Sequence, residues 1–225
     1  MKFNLLSYYI VFLSITFKVN AQVKYDSNYI SSYYLQKVTQ FKLMPKSIGS
    51  IIFLGDSITD IGEWSELFGY KTIKNRGIST DNTFGVLARL DETITLKPAK
   101  VFLMIGINDL AKKTPDAIIL KNIQRIANQL KQYSPNTKLI IQSILPTNNN
   151  FTEFMGYQNK DDHIIWLNNE LSLFCTNNQF VFVDLYSLFK DENGKLNKRY
   201  TYDGLHLNGE GYQLWKATLL KKKLI

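Results

Sequence analysis

The chain has 225 residues, 45% of them hydrophobic and 20% charged. That supplies one sizeable core and excludes a disordered or fibrous chain. The net charge of +8 lies in dispersed Lys and Arg residues and in a terminal run at Lys221, Lys222 and Lys223. Such a run suits a solvated helix end, and with no base-reading motif beside it nucleic acid is not an expected partner.

The chain opens on "MKFNLLSYYIVFLSITFKVNAQ". Lys2 gives a basic start, Leu5 to Phe17 is apolar, and Val19-Asn20-Ala21 puts small residues where a signal peptidase reads. Residues 1–21 therefore read as a secretory signal cleaved between Ala21 and Gln22, with 22–225 as a single domain. The apolar run is shorter than the roughly 20 residues a spanning helix needs, and no cysteine at the cleavage site invites a lipid. The expectation is an exported protein, periplasmic or extracellular, with no stable membrane insertion after cleavage. Cys175 is the one cysteine and cannot close an internal disulfide; its apolar-periodic setting reads as core.

A polar, tyrosine-rich lead-in occupies 22–48. Strands are then predicted at "SIIFLG" (50–55), "KTIKNRG" (71–77), "KVFLMIG" (100–106), "KLIIQSIL" (138–145) and "FVFVDLY" (180–186). Several of these are near-continuous apolar runs, as strands covered on both faces require. Helices are predicted between them. "STDNTFGVLARLDETI" (79–94) offers Ser79 and Thr80 as caps, and "TPDAIILKNIQRIANQLKQYSP" (114–135) offers Thr114 as N-cap, with Pro115 at its first position. "DDHIIWLNNELSLFC" (161–175) and "NGEGYQLWKATLLKKK" (208–223) complete the set. This alternation predicts an α/β fold, a three-layer α/β/α sandwich around a mostly five-stranded parallel sheet. The irregular stretch 146–160 follows a strand's carboxyl end. There it fits a pocket wall or a plain surface loop.

Chemistry collects in four short blocks: "FLGDSITD" (53–60), "NRGIS" (75–79), "IGINDL" (105–110) and "DGLHLN" (203–208). Three of them end or follow a predicted strand, so they gather at one sheet edge, and the last opens the final helix. Neither a phosphate-binding Gly-rich loop nor the G-x-S-x-G elbow occurs. The two histidines, His163 and His206, are scattered without a carboxylate cluster, so no metal or other cofactor is expected.

Taken together, and in this order, the four blocks resemble those of the SGNH (GDSL-type) hydrolase superfamily. The stretch from about 50 to 215 is further similar to an exported, Bacteroides-like branch related to platelet-activating-factor acetylhydrolase-like members. The resemblance implies that Ser57 is the nucleophile, His206 the general base and Asp203 the acid that orients it. It also implies an oxyanion hole built from the N–H groups of Ser57 and Gly77 and the side chain of Asn108. The roles are chemically coherent. A serine hydroxyl needs a neighbour to take its proton, a histidine does so when its tautomer is fixed, and the developing oxyanion needs donors. For Gly77 the expected reason is close approach of the backbone to the ester oxygen. Asp56 reads as loop architecture. Asp60 reads as architecture too, or as a group near the nucleophile.

Relatives of this branch often carry "GDTTFG" where this chain has "TDNTFG", so Thr80 stands in place of a glycine and narrows the pocket. Trp64, Phe154 and Tyr157 are further pocket candidates; Trp64 fits the core equally well. The expected activity is hydrolysis of short-chain O-esters, acetyl foremost, on a carbohydrate or another small ester. Two alternatives are a lysophospholipase or thioesterase for longer chains, and a non-catalytic glycan-binding protein on the same fold. Monomer and homodimer both remain open.

Overall fold

The computed structural model describes residues 25–225; the expected signal at 1–21 lies outside the described residues. The lead-in holds a helix that periodicity did not announce, α1 (Ser32–Leu43), capped by Ser31 Oγ on the Tyr34 N–H. Tyr34 and Phe41, seven residues apart and hence on one helical face, are its buried contacts. β1 (Ile51–Gly55) then leads through α2 (Ser57–Asp60) and α3 (Trp64–Phe68) to β2 (Ile73–Gly77). After α4 (Thr83–Ala88) and α5 (Leu90–Thr95) come β3 (Lys100–Met104), α6 (Ile107–Ala111), α7 (Asp116–Tyr133) and β4 (Lys138–Gln142). The chain closes with α8 (Asp161–Asn178), β5 (Val181–Val183), α9 (Tyr186–Phe189) and α10 (Gly209–Lys221).

The five strands form one parallel sheet in the order β2-β1-β3-β4-β5. Ile52, Phe53 and Leu54 of β1 are fully buried, as a central strand covered on both faces must be. Phe53 and Phe102 are register partners on β1 and β3, and Phe53 stacks on Trp64 of α3 with ring centroids 3.9 Å apart. Trp215 of α10 meets the same cluster edge-on. By the period-two alternation of strand side chains, Ile52 and Leu54 face the opposite layer. The strand order reverses direction at β1, since β2 lies on one side and β3 on the other. Ligands of open α/β sheets bind at such a switch point, outside the carboxyl ends of the strands.

Two expected helix starts are corrected. The segment 79–94 is not one helix capped by Ser79 and Thr80. It forms α4, capped by Asn82 Oδ1 on the Phe84 and Gly85 N–H groups, and then α5, with Arg89 between them. Arg89 turns inward to Asp81 Oδ2 at 2.8 Å and the Gly55 carbonyl at 3.1 Å, and its backbone leaves helical geometry there. Pro115, not Thr114, occupies the cap position of α7; the Thr114 hydroxyl is buried without a partner. Among the described residues no helix is long and apolar enough to cross a membrane.

Candidate active site

The first block is set by a side-chain cap. Asp56 Oδ1 accepts the Ile58 N–H at 3.0 Å, which starts α2 at Ser57 directly beyond the carboxyl end of β1. Ser57 keeps 9% of its surface exposed, enough for its hydroxyl to reach the cleft.

The last block is a self-contained turn. Asp203 Oδ1 accepts the N–H groups of Leu205 and His206 at 2.9 and 2.8 Å, while Oδ2 lies 2.7 Å from His206 Nδ1. The other ring nitrogen, Nε2, lies 2.9 Å from Ser57 Oγ. Burial tends to raise the Asp203 carboxyl, but the Leu205 N–H, the His206 ring and the His206 N–H outweigh it and hold it below the ordinary value. Gly204 sits at φ +81°, and a Cβ there would lie 2.7 Å from the Asn148 carbonyl oxygen. That closeness is used: Asn148 N–H donates to the Gly204 carbonyl at 2.8 Å, tying the turn to the loop after β4. From α10 the Tyr212 hydroxyl donates to the Ile58 carbonyl at 2.8 Å, locking the final helix onto α2.

The second block departs from expectation. The Gly77 N–H donates to Asn75 Oδ1 at 2.8 Å, so it is already engaged and turned away from that role. Glycine is needed at 77 for a different reason: a Cβ would lie 2.1 Å from the Asp60 nitrogen, inside the backbone of α2. Farther along, Ser79 gives both its N–H and its hydroxyl to Asp60 Oδ2 at 3.1 and 2.8 Å. Asp60 also takes the Tyr33 hydroxyl and the Lys37 ammonium from α1. Burial would raise the Asp60 carboxyl, yet the bonds from Lys37, Tyr33 and Ser79 leave it below its ordinary value. Asp60 is therefore a tether between α1, α2 and the loop. Thr80 follows at φ +68°, a left-handed conformation costly for a β-branched residue. Among the described residues its N–H and that of Ser57 have no acceptor. Asn108, at the start of α6, donates Nδ2 to the Asp81 carbonyl at 2.7 Å, one residue beyond Thr80. Asn108 is thereby tied to the loop that carries Thr80.

The remaining candidates separate. Trp64 is 1% exposed, stacks on Phe53 and gives its indole N–H to the Thr59 carbonyl at 2.8 Å; it belongs to the core and does not line the cleft. Phe154 meets the His206 ring edge-on at 4.9 Å, and Tyr157 gives its hydroxyl to Asn108 Oδ1 at 2.7 Å. The loop 146–160 is therefore part of the site. His163 is an exposed α8 residue paired with Asp116, and burial pushes the Cys175 thiol up to about 12.

Behind Ser57 lies a buried acidic group. Burial raises the Asp56 carboxyl to about 7, with the Ile58 N–H pulling it partly back and Asp81 and Asp109 adding repulsion. Asp81 and Asp109 are raised to about 6, again by burial first. An acid whose folded pKa is raised binds more protons in the native state. Its stabilising contribution is complete below the unfolded carboxylate pKa of about 3.9 and is lost as pH rises through the folded value. Asp56→Asn keeps an oxygen for the Ile58 N–H but cannot titrate. The melting temperature of the wild type is expected to fall between about pH 5 and about pH 8, and that of Asp56→Asn to fall less. Equal slopes for the two proteins would mean that Asp56 does not titrate in this window.

With this geometry in place, comparison with known proteins is decisive for the family. The GDSL-like Lipase/Acylhydrolase family model matches residues 53–214, which span all four blocks. The chain belongs to this family. This GDSL-like hydrolase has the parallel five-stranded architecture of the SGNH fold, and its family membership is consistent with ester-hydrolase activity in general. A solved structure from Streptococcus pneumonia, described as a candidate platelet activating factor, superposes with a TM-score of 0.76 at 30% identity, covering 84% of this chain and 92% of that one. The rat platelet-activating factor acetylhydrolase IB subunit alpha2 is 26% identical over 168 residues, 72% of this chain and 70% of that protein. An Escherichia coli N-acylneuraminate cytidylyltransferase is 29% identical over 174 residues, 74% of this chain but only 38% of that protein. The GDSL-like hydrolase thus spans well under half the length of the cytidylyltransferases it matches.

Proposed function

We propose that this protein is a serine esterase that removes short acyl groups, acetyl foremost, from O-acylated carbohydrates through an acyl-enzyme. The observation that carries this reading is the unbroken relay from Asp203 Oδ2 through His206 to Ser57 Oγ, with links of 2.7 and 2.9 Å. Ser57 Oγ attacks the ester carbonyl carbon while His206 Nε2 takes its proton, and Asp203 steadies the imidazolium through Nδ1–H. The carbonyl oxygen, now negative, meets the N–H groups of Ser57 and Thr80 and one proton of Asn108 Nδ2. The C–O bond to the alcohol breaks as His206 returns the proton to the leaving oxygen. Water then repeats both steps on acyl-Ser57 and releases the carboxylic acid. Thr80 replaces Gly77 in this scheme because the Gly77 N–H is held by Asn75.

Several features support the small acyl group and the sugar. The Phe154 ring stands edge-on against His206 with centroids 4.9 Å apart, which limits the space beside the base and favours acetyl over long chains. A cavity of about 500 Å³ lies between Ile61, Glu63, Glu66 and Leu67, which follow the nucleophile helix, and Leu207, Asn208, Tyr212 and Gln213, which follow His206. Its lining combines apolar side chains with the polar groups of Glu63, Glu66, Asn208 and Gln213, a composition compatible with a sugar ring. It adjoins the site in sequence through Leu207, next to His206. One relative's name describes an acetylhydrolase and another's a sugar acid. The basic, apolar and small-residue pattern of residues 1–21 supports export, where O-acetylated glycans are at hand.

The test compares p-nitrophenyl acetate, butyrate and octanoate. We expect kcat/KM to fall at least about tenfold from acetate to octanoate. Acetate release from O-acetylated sugars then identifies the alcohol. A preference for octanoate would overturn the acetyl reading and favour a lysophospholipase or thioesterase.

A further inference from the structure

Asn108 can serve an oxyanion only if its amide is held the right way round. Its Nδ2 lies 2.7 Å from the Asp81 carbonyl oxygen, and a carbonyl can only accept, so the nitrogen end of the amide is fixed there. The oxygen end, Oδ1, lies 2.7 Å from the Tyr157 hydroxyl, which must therefore be the donor. Burial, with the Asp56 carboxyl adding to it, raises the Tyr157 pKa, so the phenol keeps the proton that this bond needs. Tyr157 is itself anchored, since its backbone carbonyl accepts the Thr147 hydroxyl at 3.1 Å from the loop after β4. Its ring meets Phe154 edge-on, and Phe154 in turn meets the His206 ring. One short loop therefore touches both the base and the oxyanion donor.

We propose that Tyr157 is a positioning residue for the oxyanion hole: by donating to Asn108 Oδ1 it locks the amide plane and leaves the second Nδ2 proton aimed at the ester oxygen. Accepting a hydrogen bond at Oδ1 also polarises the amide and strengthens the N–H as a donor. The effect is exerted on the transition state, where the oxygen is negative, and not on the neutral ester. The inference rests on the reading of Asn108 as an oxyanion donor.

A double-mutant cycle with p-nitrophenyl acetate tests it. Asn108→Ala alone is expected to lower kcat about 100-fold. Tyr157→Phe, which keeps the ring and its packing, is expected to lower kcat about three- to tenfold with KM within about twofold, the loss of one neutral hydrogen bond. In the Asn108→Ala background, Tyr157→Phe should cost nothing further in kcat. If it costs the same factor there, or if it acts on KM alone, Tyr157 works directly on substrate or on the fold and the positioning role is wrong while Asn108 stands. If Asn108→Ala leaves kcat unchanged, the oxyanion assignment fails and takes the role of Tyr157 with it.

Discussion

Ser57→Ala is expected to lower kcat on p-nitrophenyl acetate by about 10⁴-fold or more, while the protein stays folded. The size of the effect follows from the relay. His206 Nε2 has Ser57 Oγ as its partner at 2.9 Å, and with the hydroxyl gone no acyl-enzyme can form. What survives is the polarising effect of the remaining donors on water attack. Stability should change little, because the hydroxyl's one hydrogen bond within the described residues is to that ring, and a neutral bond is worth about 1 kcal/mol. The Asp56 cap on Ile58 and the Tyr212 bond to the Ile58 carbonyl are untouched. Circular dichroism melts run beside the kinetics separate the two effects. Activity within about tenfold of wild type in a folded Ser57→Ala protein would move the nucleophile elsewhere.

The second large effect is on stability. In Gly77→Ala the new Cβ would start 2.1 Å from the Asp60 nitrogen, 2.5 Å from its Cα and 2.6 Å from the Thr59 carbonyl carbon. All three are backbone atoms of α2, so no side chain can rotate out of the way. Either β2 or α2 must move, and we expect a loss of about 3 kcal/mol or more, at the upper end for overpacking. For a domain whose total stability is about 5–15 kcal/mol, that is a large fraction. Urea denaturation should show the midpoint drop. The folded fraction should also be slow, because Ser57 heads the helix that is pushed and Asn75 holds both strand and helix through Asp60 and Gly62. A midpoint shift worth less than about 0.5 kcal/mol would show that the strand end yields freely.

Much of this site was legible in the sequence because it is local. Asp203 and His206 are three residues apart and their bonds stay within one turn, so the spacing brings the two side chains together, while their roles were implied by the family resemblance. Apolar runs such as "KVFLM" read as covered strands because burial on both faces writes continuous hydrophobicity into the chain. The position of Ser57 and Asn108 after successive sheet strands follows from the same pattern, since strand ends on a parallel sheet share one edge.

What the sequence could not decide were the identities of distant partners. Trp64 is an aromatic near the nucleophile in either reading, and only its stacking on Phe53 makes it core. Gly77 carries an N–H in any fold, and only the folded conformation of the strand end shows that Asn75, two residues earlier, engages it. The lead-in helix α1 has a weak apolar stripe, so periodicity left it unassigned, although Ser31 with Tyr34 and Phe41 was a usable signal. Its reach to Asp60 spans 27 residues from Tyr33 and 23 from Lys37, and the bond from Tyr157 to Asn108 spans 49. Periodicity reports how deeply a residue is buried, and local spacing reports which neighbours share a turn. Which donor meets which acceptor across the cleft depends on how helices and loops dock, and that is settled only when the whole core has packed.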